Sequence, residues 1–174
     1  MKYIYNFIIR YFLIFTPLSF LYLVFLPITI YGVFGLLYFW DPVILGDIII
    51  VKGIQFTFID ACIAIGAYWL LLFLTLTTKD IKFITRIKII IFGFLLVLAM
   101  NYFRIWILVI LTVKYGLGMF NTVHLIFWKF VSWIYVAFVW ILLIKLYKIK
   151  SIPVYNDLKY LIGEIRKNRS KKRH

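Results

Sequence analysis

Three residues of this sequence are of types that do chemistry together: Cys62, Arg104 and His124. A thiol is a nucleophile, an imidazole is a base, and an arginine is a fixed positive donor for developing negative charge. Together they are the inventory of a cysteine acyl-transfer site. The chain has one cysteine and two histidines. Each of the three residues falls towards the same end of a different long apolar segment, and their convergence is the signal.

Taken singly, each has two readings. Cys62 is either a small apolar helix residue or a nucleophile. It begins a segment, so it stands at the positive end of a helix dipole, a setting that suits a nucleophilic sulfur. Asp60, two residues upstream, is a candidate N-cap for the same helix. Arg104 lies among Tyr102, Phe103, Ile105 and Trp106, where an arginine needs a partner or an aqueous pocket. Counting back from Lys114 places it roughly one and a half helical turns or more below the segment's end. Asn101 precedes it by one turn on the same face and is expected to bond either Arg104 or a substrate. The other reading is that Arg104 and Asn101 tie helices together. His124 follows Asn121 and Thr122, both good capping residues, and so is expected to open a helix with its ring available as a base. His174 ends a basic tail. Lys129 is expected to snorkel outward or pair within the bundle. One cysteine and one internal histidine, with Asp60 the nearest carboxylate, fall short of the usual three or four metal ligands. No metal and no cofactor are expected.

The elements that must position these residues are apolar. The 174 residues are 66% hydrophobic and 21% aromatic, with a mean hydropathy of +1.04. A water-soluble domain of this size has no means of hiding so much apolar surface, so the bilayer is expected to act as solvent. The single cysteine excludes an intrachain disulfide. The first apolar run is too long for a signal-peptide core and is expected to be retained. The net charge of +14 raises the question of nucleic acid, but its distribution points elsewhere. Ten of the twenty basic residues lie from Lys145 onward, four lie between Lys79 and Lys88, and Lys2 and Arg10 are N-terminal. All sixteen flank one side of the apolar runs. Lys52 and Lys114 lie on the other side, and Arg104 and Lys129 lie within. This asymmetry predicts both termini in the cytoplasm. No nucleic-acid partner is expected; the membrane lipid is.

The expected fold is an all-α polytopic membrane protein of about four transmembrane helices. Residues 1–40 form an N-terminal membrane segment, interrupted by Pro17 and Pro27 and read as one kinked span; two short spans would make five. Residues 41–60 form a surface element in which 48–51 and 54–59 are two short strands about the Lys52-Gly53 turn. Residues 61–147 form a three-helix core with spans at about 61–77, 89–113 and 122–143. Residues 148–174 form a basic tail. There Leu158, Leu161, Ile162 and Ile165 mark an amphipathic helix against anionic lipid.

In the order and spacing of these residues the chain resembles the exosortase/archaeosortase family of membrane-embedded transpeptidases. Ala61-Cys62 opens a span after an extracytoplasmic strand-like segment. Asn101-Tyr102-Phe103-Arg104-Ile105 is similar to the family's N-x-x-R-[IL] element. A glycine-containing loop, 116–118, then leads to His124. The resemblance covers residues 43–146. It departs where the family follows its cysteine with a small hydroxyl residue and glycine, since Ile63-Ala64 stand here.

The resemblance implies a cysteine protease or transpeptidase at the extracytoplasmic face of the cell membrane. Its substrates would be secreted proteins with a C-terminal motif, a transmembrane helix and a basic cluster. Cys62 would form a thioester, Arg104 and His124 would assist, and water, a lipid or another surface acceptor would release the product. Strand addition to the 48–59 hairpin would hold the motif. The alternative is a non-catalytic polytopic assembly factor or transporter subunit.

Overall fold

A computed structural model describes residues 2–14, 18–78, 81–127 and 131–149. Helix α1 (Lys2–Ile14) and helix α2 (Leu18–Leu36) are followed by a 3-10 turn at Tyr38–Trp40. Strands β1 (Val43–Leu45), β2 (Ile48–Val51) and β3 (Ile54–Thr57) come next. Helices α3 (Asp60–Ile63), α4 (Ile65–Thr77), α5 (Phe83–Tyr115), α6 (Leu117–Ile126) and α7 (Ser132–Leu146) complete the described chain. The molecule is mostly helical with one small sheet.

Helices α2 and α5 are long and apolar enough to cross a membrane, while α4 and α7 are shorter apolar helices. Helix α5 has 33 residues, about 50 Å at 1.5 Å per residue. It is the spine of the fold. Its buried residues recur at helical spacing, from Arg86 through Gly93, Val97, Asn101 and Arg104 to Thr112, and so form one inward stripe. Its other faces carry exposed Ile91, Leu95, Phe103 and Trp106.

Two apolar clusters stack along this stripe. In the first, Leu21 and Phe25 of α2 meet Tyr68 and Leu71 of α4, Val97 of α5, and Trp140 and Leu143 of α7. Phe25 stacks on Tyr68 at 3.8 Å between ring centroids. In the second, Ile30, Val33 and Leu37 of α2 join Ile49 and Val51 of β2, Phe58, and Ile105 and Val109 of α5. Between them, Gly32 lets Tyr102 come against α2 so closely that a methyl group there would collide with its phenol. The Tyr102 hydroxyl donates to the Ile28 carbonyl at 2.7 Å.

The ends of the bundle differ. At one end Arg10 donates to the carbonyls of Leu76 and Thr78, and Arg86 also donates to Thr78. These carbonyls end α4 and lack helical partners of their own. At the other end sits an antiparallel meander of strand order β1-β2-β3. Its Lys52-Gly53 turn has positive φ at both residues, the requirement of a two-residue hairpin whose twist matches its strands. The expected pair of strands about this turn is present, and β1 adds a third through the turn at Gly46, also at positive φ.

Two expected spans take a different form. The segment expected at 61–77 is broken into α3 and α4 by Ala64 at φ 60°. The segment expected to open near Thr122 begins at Leu117, with Gly116 as N-cap. Lys129 and the tail from residue 150 lie outside the described residues, so the readings placed there have no structural account.

Candidate functional site

Ala64 shapes the site. In an unbroken helix the Ala61 and Cys62 carbonyls would accept from the backbone four residues on. The left-handed residue at 64 ends α3 and leaves them without those donors. Two side chains of α5 replace them: Arg104 Nη2 donates to the Ala61 carbonyl at 2.6 Å, and Asn101 Nδ2 to the Cys62 carbonyl at 2.8 Å. Asn101 therefore does not give its amide nitrogen to Arg104; it holds the backbone of the cysteine itself, and with Arg104 it ties α5 to α3, as the helix-tying reading of the two residues expects.

Both donors are deeply buried, each with 3% of its surface exposed. Each keeps one atom without a hydrogen-bond partner among the described residues, Nε of Arg104 and Oδ1 of Asn101. Buried polar atoms left in this way are uncommon.

Cys62, Arg104 and His124 line one cavity of about 310 Å³. Residues 55–59, at the end of β3 and just beyond, form one wall, and Ile105, Leu108 and Val109 of α5 form another. The thiol is free and half-buried. Among the described residues it makes a long contact, donating to the Thr57 carbonyl at 4.0 Å. The Arg104 charge is close enough to act on Cys62 and on His124. The three residues picked from sequence thus line one cavity, although they come from α3, α5 and α6.

The local settings of two of them differ from expectation. Asp60 is the first residue of α3, and the N-cap is Ile59, with no side-chain cap bond. Asp60 instead borders a second cavity of about 130 Å³ on the far side of Arg104, against Ser132 and Trp133 of α7. Because α3 has four residues and ends at Ala64, the dipole behind Cys62 is that of a single turn, much weaker than the full-length helix expected. His124 lies in the last turn of α6, not at a helix start, because α6 begins at Leu117. Its ring is half-buried, with Nδ1 enclosed.

Sequence reasoning missed the contributions of Thr57 and Ala64. Thr57 gave no chemical signal, since it acts through its carbonyl. Ala64 stands at the position where the family's pattern has glycine, and it adopts a left-handed conformation that glycine favours.

Compared with known proteins, the chain matches no family model, no curated protein and no solved structure.

Proposed function

We propose that this protein is a membrane-embedded cysteine acyl-transferase that cleaves C-terminal sorting tails of secreted proteins, as its resemblance to exosortases and archaeosortases implies. The observation that carries this reading is the shared cavity: the chain's one thiol opens into it beside a buried arginine and an imidazole.

In this reading the chain crosses the membrane four times, through α2, α3–α4, α5 and α6–α7. Alone, α4 and α7 are short for a hydrocarbon core of about 30 Å, and α3 and α6 extend their passes. Helix α1 rises beside α4 from the end that holds Arg10, and Trp69 Nε1 donates to the Ile14 carbonyl. That arrangement favours a single N-terminal crossing. Arg10, Lys82, Arg86 and Lys145 mark the cytoplasmic end. The cavity lies at the opposite, extracytoplasmic end.

The Cys62 sulfur attacks the carbonyl carbon of the scissile peptide bond. The thiol proton passes by way of His124 to the leaving amine, the C–N bond breaks, and a thioester remains on Cys62. Arg104 stabilises the oxyanion in surroundings where few waters compete. Water, or a hydroxyl or amine acceptor at the membrane surface, then attacks the thioester. The C–S bond breaks and the proton of the acceptor returns to the sulfur.

A second reading has one observation in its favour. Arg104 and Asn101 already bond the α3 backbone, so both would be scaffold in a non-catalytic assembly factor or transporter subunit. The two readings part on Cys62→Ser in cells that export tail-bearing proteins. The enzyme reading predicts unprocessed proteins that keep their tails, at normal levels of the variant. Normal processing in that strain would leave only the scaffold reading.

A further inference from the structure

We infer that the outer edge of β3 holds the acyl-donor peptide as an added strand, running parallel to β3 towards Cys62. This rests on the proposed role of Cys62 as nucleophile. The strand order makes β3 an edge strand, and the register fixes which of its backbone groups face outward. The Phe58 amide donates to the Asp47 carbonyl at 2.9 Å. Phe56 pairs with Ile49, and Ile54 with Val51 across the two-residue turn. Bonding in an antiparallel pair alternates, so Phe58, Phe56 and Ile54 address β2. Gln55 and Thr57 turn their N–H and C=O away from the sheet.

The direction they face is independently marked, because the outward Thr57 carbonyl is the group that the Cys62 thiol approaches. The edge therefore borders the cavity that contains the thiol, and the opposite wall is apolar, with Ile105, Leu108 and Val109. Unpaired backbone groups beside apolar walls are costly near a membrane, and an extended peptide satisfies them. Residues on the acyl side of the scissile bond run towards the sulfur, hence parallel to β3. One such residue lies opposite Phe56, donating its N–H to the Gln55 carbonyl and accepting from the Thr57 amide. The peptide then continues past Thr57 to the thiol. Every second backbone amide of the peptide faces β3. Specificity then falls to the side chains that point into the cavity.

The test uses the full-length protein in detergent and a positional library of tetrapeptidyl chloromethyl ketones, with chloroacetamide as a small reagent of the same chemistry. Cys62 alkylation rates are read by intact mass. The inference predicts that the best peptides label Cys62 more than tenfold faster than chloroacetamide. Single N-methylation of their amides should slow labelling about three- to tenfold, the worth of one hydrogen bond, at alternate positions only. Thr57→Pro, which removes an outward amide and leaves the β2 ladder, should abolish the peptide advantage. Ile44→Pro on the far edge of β1 should keep it. Uniform tolerance of N-methylation with fast labelling would overturn strand addition and leave Cys62 as nucleophile. Peptides no faster than chloroacetamide would overturn it too. A Cys62 that none of these reagents alkylates, until the protein is denatured, would sink the nucleophile reading as well.

Discussion

Among the described residues, buried side-chain donors complete a helix end at two places, at opposite ends of the bundle. Arg10 and Arg86 supply the carbonyls that end α4. Arg104 and Asn101 supply those that end α3. The burial is alike, at 4% and 6% exposure against 3% for both members of the second pair. What differs is the neighbourhood. The α4 end is a helix terminus met by two arginines. The α3 end abuts a cavity with a thiol and an imidazole. A buried arginine in an apolar helix is therefore not in itself a sign of chemistry. What sets Arg104 apart is the thiol, the imidazole and the cavity beside it.

The comparison breaks most sharply at the sulfur. Cys62→Ala should abolish acyl transfer with thermal stability in detergent nearly unchanged, since the side chain is half-buried and alanine keeps the backbone carbonyl that Asn101 holds. His124→Ala should lower turnover about 10²–10⁴-fold, the usual worth of a general acid or base, in a single-turnover assay of thioester formation. Arg104→Ala should lower turnover about 10²–10³-fold, as for loss of an oxyanion donor. It should also destabilise the fold by about 1–3 kcal/mol, because the Ala61 carbonyl is left unsatisfied. Arg86→Ala, at the opposite end, leaves the Thr78 carbonyl its bond from Arg10, so it should cost less stability than Arg104→Ala by thermal unfolding, with no change in turnover by the protein that remains folded. If it lowers turnover as much as Arg104→Ala, the two ends are not distinct. The smallest effect sharpens the site itself. Ala64→Gly relieves a left-handed alanine and should stabilise by about 1 kcal/mol, measured by thermal unfolding, with Cys62 alkylation retained.

Much of this was legible in the sequence. Lys52-Gly53 between β-branched and aromatic runs marked the hairpin, because glycine and a two-residue loop suit positive φ. Arg104 announced a partner by its cost among apolar neighbours. That Cys62, Arg104 and His124 gather at one cavity was foreshadowed because a thiol, a charge and an imidazole stand out within apolar segments. Local backbone geometry was not. The alanine at position 64 gives no sign of the break, and the nearby glycine is Gly66, inside α4; the one trace is that the family the sequence resembles has glycine at that position. The start of α6 was misplaced because Gly116 and Gly118 read as loop while Asn121-Thr122 read as caps; the helix in fact begins directly after Gly116. Strand β1 is three residues long, too short for alternation to show. The partner of Asn101 depends on a carbonyl that only the break at Ala64 exposes.

The central claim is that Cys62 carries an acyl group. The direct measurement is to express wild type and Cys62→Ala with a secreted protein bearing the tripartite tail, and to isolate the membrane protein. Intact mass is then read before and after hydroxylamine. The account predicts an adduct on the wild type that hydroxylamine removes and that the variant never acquires. An adduct that persists in Cys62→Ala, or complete tail removal in cells carrying only that variant, would contradict it.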